Sequence, residues 1–178
     1  AASDVYKRQD FTPTFFYRAP RLFETTLPVD VALVQVTPPD ENGICSLGIS
    51  VDYTLAAVKN AKRVIAQVND QMPRTCGGGN VRVEDIDLFV KHSSPILELT
   101  PPKIGPVEEA IGNYCASLIN DGDTLQLGIG AIPDAVLSFL RHKKNLGIHS
   151  EMFTSCMMDL INAGVITGKK KTYDKGLH

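Results

Sequence analysis

From residue 107 to residue 164 helical and extended hydrophobic patterns take strict turns, and that alternation limits the available folds more than any other feature of the chain. A helix over about 107–120, a turn at Asp121-Gly122-Asp123, a strand over 124–128 and a helix over about 133–143 are followed by a turn at Lys144-Asn145. A strand over 146–150 and a helix over about 152–163 complete the run, with Gly164 in the usual helix-terminating position. Such alternation predicts parallel strands with helices packed on them. Ligands of parallel sheets bind at the carboxyl ends of the strands, so the ends near Gly128 and Ser150 are where chemistry is expected.

The first half supports the same class. Residues 29–36 are β-branched and nearly continuous in apolar content, as in a buried strand of a mostly parallel sheet. Pro38-Pro39-Asp40-Glu41-Asn42-Gly43 reads as a turn, 44–47 as a short extended piece, 51–62 as a helix and 63–68 as a second strand, which makes one β-α-β unit. Thr75-Cys76-Gly77-Gly78-Gly79-Asn80 is a loop; its three glycines lack the following helix that a phosphate cradle needs. Residues 81–89 alternate like a strand or half-buried edge, and His92-Ser93-Ser94-Pro95 reads as a strand-end turn. The proline-rich stretch 95–106 is a composition shift. The expected organisation is therefore a non-native or disordered leader at 1–9, a first domain at 10–100, a linker at 101–106 and a second domain at 107–178. Lys169-Lys170-Lys171 near the C-terminus reads as a solvated charge run.

Charge and composition narrow the partners. Lys and Arg number 18 against 20 Asp and Glu, spread along the chain, which offers no basic field for a nucleic acid or an anionic membrane surface. No apolar run approaches the length of a membrane span and no signal-peptide pattern opens the chain, so it reads as a soluble, cytoplasmic protein. Cys45, Cys76, Cys115 and Cys156 stand far apart without a C-x-x-C pair, which predicts free buried thiols rather than a zinc site or disulfide framework.

At the first strand end, Gly128 and Gly130 let the backbone pass close to a ligand, and Pro133 suits the first turn of a helix whose N–H groups attract anions. The stretch suits a phosphate or oxyanion, or equally a tight strand-to-helix turn that needs only small residues. At the second, Gly147-Ile148-His149-Ser150-Glu151-Met152 places an acid where it can serve the helix dipole or act as a nucleophile on an activated acyl group. His149 and Ser150 can hydrogen-bond that carboxylate or a substrate, while Ser150 is also a candidate helix cap. Gly128-x-Gly130-x-x-Pro133 with Glu151 about 20 residues on partly imitates a dinucleotide-binding fingerprint, as of a dehydrogenase, with proline in place of the third glycine.

The string Asp121-Gly122-Asp123-Thr124-Leu125-Gln126-Leu127-Gly128-Ile129-Gly130-Ala131-Ile132-Pro133-Asp134-Ala135-Val136, followed by Leu146-Gly147-Ile148-His149-Ser150-Glu151-Met152, closely resembles the acetyl-CoA hydrolase/transferase family and, within it, the 4-hydroxybutyrate CoA-transferases. The run from Pro38 to Gly48 resembles the N-terminal domain of the same family. The resemblance covers about residues 10–178. It implies an α/β protein of two open, mostly parallel-sheet domains of the CoA-transferase type, with the site at their interface, both expected to be incomplete here: the C-terminal part of the first at 10–100 and the start of the second, carrying the catalytic glutamate, at 107–178. It implies that Glu151 attacks an acyl-CoA thioester and that CoA then passes through a glutamyl-CoA thioester to a carboxylate such as acetate or 4-hydroxybutyrate; an acetyl-CoA hydrolase is the family's alternative. Gln126, Leu127, Gly128, Ile129, Gly130, Ala131 and Ile132 would contact CoA. The resemblance further implies that no metal or tightly bound cofactor takes part, that coenzyme A and acyl-CoA are substrates, and that the full-length protein is a homo-oligomer, dimer or tetramer.

Overall fold

The computed structural model describes residues 11–177, and the chain divides between Glu98 and Leu99 into two units. The leader expected at 1–9 lies outside the described residues.

The first unit is built on a parallel sheet of β1 (Val31–Val36), β3 (Arg63–Val68) and β5 (Leu88–Lys91) in the order β1-β3-β5. β1 and β3 run in register from Val31 beside Arg63 to Val36 beside Val68. The crossover between them carries a short strand, β2 (Ile44–Ser46), and a helix that is shorter than its expected span. Asp52 explains the late start: its carboxylate accepts from the Tyr53 and Thr54 N–H groups and the Thr54 hydroxyl, and only then does the chain coil over Thr54–Asn60.

The strand expected over 81–89 is instead two strands in different sheets. β4 (Asn80–Arg82) pairs antiparallel with β2, a 3₁₀ turn at Val83–Asp85 redirects the chain, and β5 joins β3 in parallel. Alternation of apolar residues cannot reveal such a change of partner, because both halves keep a period of two. The Asp87 carboxylate secures the turn by accepting the Val64 N–H at 2.8 Å, with Arg63 beside it, and these contacts hold its acid below the usual carboxylate range. A helix at Ala19–Thr25 was not expected; Pro20 sits in its first turn, but seven residues are too few to show a hydrophobic period.

Beyond the strands, Asn69 is buried and fully used: its side chain donates to the Ser94 carbonyl at 2.8 Å and accepts from the Gln71 and Ser94 N–H groups. The His92-Ser93-Ser94 stretch is thus a pinned strand-end turn, with Ser93 donating to Asp70.

The fully buried strand read from 29–36 is covered on one side only. Ala32, Val34 and Val36 join the core with Cys45, Leu47, Val58, Val64 and Ala66, whereas Leu33 is 76% exposed and Leu88 and Val90 are exposed in β5. An apolar face on a parallel sheet is normally covered. The 178-residue chain produced alone is therefore expected to self-associate, and Leu33→Lys to reduce that association in light scattering; a monodisperse monomer at high concentration would contradict this.

The second unit alternates as expected but with shorter elements. Helices occupy Pro106–Ser117, Ala131–Ser138 and Ser155–Asn162, and the strands reduce to β6 (Thr124–Leu125) and β7 (Gly147–Ile148), paired in parallel. Leu137, Leu140, Leu146, Ile148, Met157, Leu160 and Ile166 form its core. The helix at Pro106–Ser117 packs on Ala131–Ser138 through Gly112, where a Cβ would lie 2.8 Å from the Ala135 carbonyl carbon. The two turns at the sheet's lower edge interlock, Gly122 N–H to Lys144 carbonyl and Lys144 N–H to Asp121 carboxylate, which aligns β6 with β7. Gly164, at φ 73°, closes the last helix as its position predicted.

Lys171 departs from the solvated charge run expected at 169–171. It is only 5% exposed, its stem lies over β7 at Gly147, and its ammonium donates to the Leu177 carbonyl. Among the described residues no helix is long and apolar enough to cross a membrane.

Candidate active site

At the carboxyl end of the β6-β7 pair two segments leave side by side. The His149 N–H donates to the Leu125 carbonyl at 2.9 Å, the last bond of the ladder, after which one chain enters the loop Gln126–Gly130 and the other runs into Ser150 and Glu151. The Ser150 hydroxyl joins them: it donates to the Leu127 carbonyl at 2.7 Å and accepts from the Leu127 N–H at 3.4 Å and the Met152 N–H at 3.3 Å. The structure thus brings together the loop and the glutamate that the sequence had singled out separately.

The loop is open. Gln126, Gly128, Ile129 and Ile132 are exposed, and a Cβ placed on Gly128 would meet nothing within 4 Å. Neither chain packing nor a left-handed φ accounts for glycine there. Gly130 differs, since its φ of 130° is one that a side chain resists, and it turns the chain into the helix at Ala131–Ser138. Pro133 is the third residue of that helix rather than its start, so Ala131 and Ile132 supply the free N–H groups of the first turn.

Glu151 is exposed, and among the described residues no hydrogen bond or ion pair engages its carboxylate. The next helix begins at Ser155 with Thr154 as its N-cap. This corrects two expectations at once. Ser150 is not the helix cap, and Glu151 lies outside the first helical turn, where the favourable dipole effect is confined. The helix starts late because Ser150 closes its own local turn onto Met152, holding the intervening backbone non-helical. The Glu151 carboxylate thus has no structural partner among the described residues, while the backbone on either side of it is held by Ser150.

Met152 and Phe153, which follow Glu151 in the chain, are exposed apolar side chains, as are Ile129 and Ile132 on the loop segment and the helix start. His149 is exposed, its ring edge-on to Tyr173 at 5.9 Å between centroids. Sequence reasoning gave no weight to Asp134, which is 9% exposed with Oδ1 unpaired among the described residues. Its neighbour Cys156 is half-buried; burial first, and then the Asp134 charge, push that thiol up and keep it protonated. The expectation of four buried thiols holds fully for Cys45 alone, since Cys76 is exposed in its loop and Cys115 is half-buried. Iodoacetamide is accordingly expected to label Cys76 well before Cys156 or Cys45, as peptide mapping over a time course would show. Among the described residues no cluster of three acidic, histidine or cysteine side chains is placed to hold a metal ion.

The model of the acetyl-CoA hydrolase/transferase N-terminal domain matches residues 7–101. The chain belongs to the acetyl-CoA hydrolase/transferase family. Similarity within the family extends through the second unit. The chain is 62% identical over 170 residues to the 4-hydroxybutyrate coenzyme A transferase of Clostridium kluyveri, covering 95% of this chain and 40% of that protein. It is 46% identical over 171 residues to the succinyl-CoA:acetate/propanoyl-CoA:succinate CoA transferase of Fasciola hepatica, 95% of this chain and 36% of that protein. The crystal structure of 4-hydroxybutyrate CoA-transferase from Porphyromonas gingivalis superposes with a TM-score of 0.86 at 48% identity, over 93% of this chain and 43% of that one. The α/β class expected from the alternation is the class of this structure, with parallel sheets in both units. The chain spans about 40% of the length of the curated relatives it matches.

Proposed function

We propose that the protein to which this chain belongs is a CoA-transferase that moves CoA between a short-chain acyl-CoA and a carboxylate such as 4-hydroxybutyrate or acetate. The observation that carries the reading is an unengaged Glu151 carboxylate on a backbone that Ser150 ties to an open glycine loop, in a member of a family whose relatives are CoA transferases.

The chemistry suits a carboxylate nucleophile. One Glu151 oxygen attacks the thioester carbonyl carbon, and collapse of the tetrahedral intermediate expels CoA thiolate, leaving an acyl-glutamyl anhydride. The thiolate attacks the glutamyl carbonyl of that anhydride, which releases the first carboxylate and leaves a glutamyl-CoA thioester. The acceptor carboxylate then attacks the glutamyl thioester, again freeing thiolate, and thiolate attack on the acceptor's acyl carbon forms the new acyl-CoA and restores Glu151. Each tetrahedral intermediate places negative charge on the former carbonyl oxygen, and N–H donors held in place lower its energy. Gly128, Ile129 and Gly130 offer such donors on an open loop, with Ala131 and Ile132 at the helix start; the whole stretch Gln126, Leu127, Gly128, Ile129, Gly130, Ala131 and Ile132 is proposed to contact CoA. The exposed Met152 and Phe153, next to Glu151 in the chain, would form a poorly hydrated wall once substrate covers them, which raises the reactivity of an ionised carboxylate.

The family's own name admits hydrolysis as well as transfer, and family membership favours either over the dehydrogenase reading of Gly128 and Gly130. Full-length protein given acetyl-CoA with and without a second carboxylate decides: CoA exchange that depends on the added carboxylate is expected, and equal thioester loss in both mixtures would assign a hydrolase. The substrates proposed are acyl-CoA and a small carboxylate, with no tightly bound cofactor, no nucleic acid and no membrane; the full-length protein is read as a cytoplasmic homo-oligomer, dimer or tetramer.

A further inference from the structure

The ladder between β6 and β7 is two residues long, too short to hold the diverging loops beyond it in fixed relation. One side chain takes over. A serine hydroxyl has one proton to donate and two lone pairs to accept with. Ser150 uses its proton on the Leu127 carbonyl and receives the Leu127 and Met152 N–H groups, so its capacity is filled by backbone. That removes it as a direct ligand of substrate or of the Glu151 carboxylate. It also satisfies both backbone groups of Leu127 at the point where strand pairing has stopped. The bond from Met152 closes a serine turn around Glu151, and the two bonds with Leu127 fasten that turn to the glycine loop.

We propose that Ser150 is a positioning residue for acyl transfer: its hydroxyl sets the distance between the backbone carrying Glu151 and the loop amides that receive the developing oxyanion. The inference rests on the reading of Glu151 as nucleophile. Its magnitude follows from orientation, since a misplacement of about 1 Å in a reacting constellation can cost on the order of 10²-fold in rate.

The test uses the full-length protein and four forms: wild type, Ser150→Ala, Ser150→Thr and Glu151→Gln. The readouts are the rate of covalent adduct formation at residue 151, from quenched-flow mass spectrometry, together with kcat and KM for acyl-CoA and the thermal midpoint. Ser150→Ala is expected to slow adduct formation and kcat by about 10- to 100-fold with KM within about threefold. Ser150→Thr, which keeps the hydroxyl, is expected to recover most of the rate. A wild-type acylation rate in Ser150→Ala, or a loss that Thr does not restore, overturns the positioning role while leaving Glu151 in place. Turnover retained in Glu151→Gln overturns the nucleophile reading and this inference with it. Should Ser150→Ala not fold, Ser150→Cys preserves side-chain volume while weakening every bond of the clasp, and a wild-type rate in that variant would be equally decisive against the proposal.

Discussion

Glu151→Gln in the full-length protein is expected to lower CoA exchange by on the order of 10⁴-fold or more, with the thermal midpoint unchanged. Both halves of that expectation come from the same structural fact. The Glu151 side chain is exposed and, among the described residues, makes no hydrogen bond and no ion pair, so the amide replaces nothing that holds the fold. Surface substitutions of this kind usually alter stability by less than about 0.5 kcal/mol. The chemical loss is large because a carboxamide oxygen is a poor nucleophile and the anhydride cannot form; removing a covalent nucleophile elsewhere costs on the order of 10⁴- to 10⁶-fold. Steady-state exchange between acetyl-CoA and labelled acetate, with a differential scan of the same preparations, checks both. A variant that keeps a tenth of wild-type exchange would end the nucleophile reading, and one that is inactive but unfolds at a lower temperature would show that Glu151 has a structural partner.

Periodicity reads best where an element meets the core through one face. The strand at Arg63–Val68 agrees with its expected span, and the alternation after residue 106 specified the order of every element in the second unit. Lengths failed where side chains intervene locally: Asp52 delays one helix, Ser150 another, and Val83–Asp85 cuts an apparently continuous strand in two. None of these is a hydrophobic signal, so a pattern-based reading passes over them. Gly147 is a related case. In β7 it looks like a weak strand residue, yet a Cβ there would lie 2.6 Å from Lys171 Cγ, a contact made by a residue 24 positions away.

The candidate site was legible in a different way. Gly128, Gly130 and Glu151 stood out because they lie at strand ends and because the strings around them resemble a known family, but nothing in their spacing said that the two segments touch. The tie is Ser150, which the sequence offers equally as a partner of the carboxylate or substrate and as a helix cap. A serine directly after a strand and before an unengaged acid can be a stitch between loops as well as a cap, and the partner is fixed only by the fold.

Gly128→Val is expected to reduce kcat/KM for acyl-CoA by about 100-fold without lowering the thermal midpoint, and its neighbour makes the comparison that gives this meaning. At Gly128 the backbone has no left-handed φ and a Cβ would project into open space, so the free protein accommodates valine without strain. At Gly130 the φ of 130° penalises any side chain by roughly 1–3 kcal/mol, so Gly130→Val should lose stability and activity together. If the loop receives the thioester and its oxyanion, the valine methyls at 128 occupy volume that substrate must enter, and both binding and access to the amides suffer. The two variants therefore separate a glycine kept for a ligand from a glycine kept for a turn. Kinetics and calorimetry on both, in the full-length protein, give four numbers of which the decisive one is kcat/KM of Gly128→Val: at the wild-type value, CoA does not approach this loop, and the stretch from Gln126 to Ile132 is a strand-to-helix connection whose open face serves something other than acyl transfer.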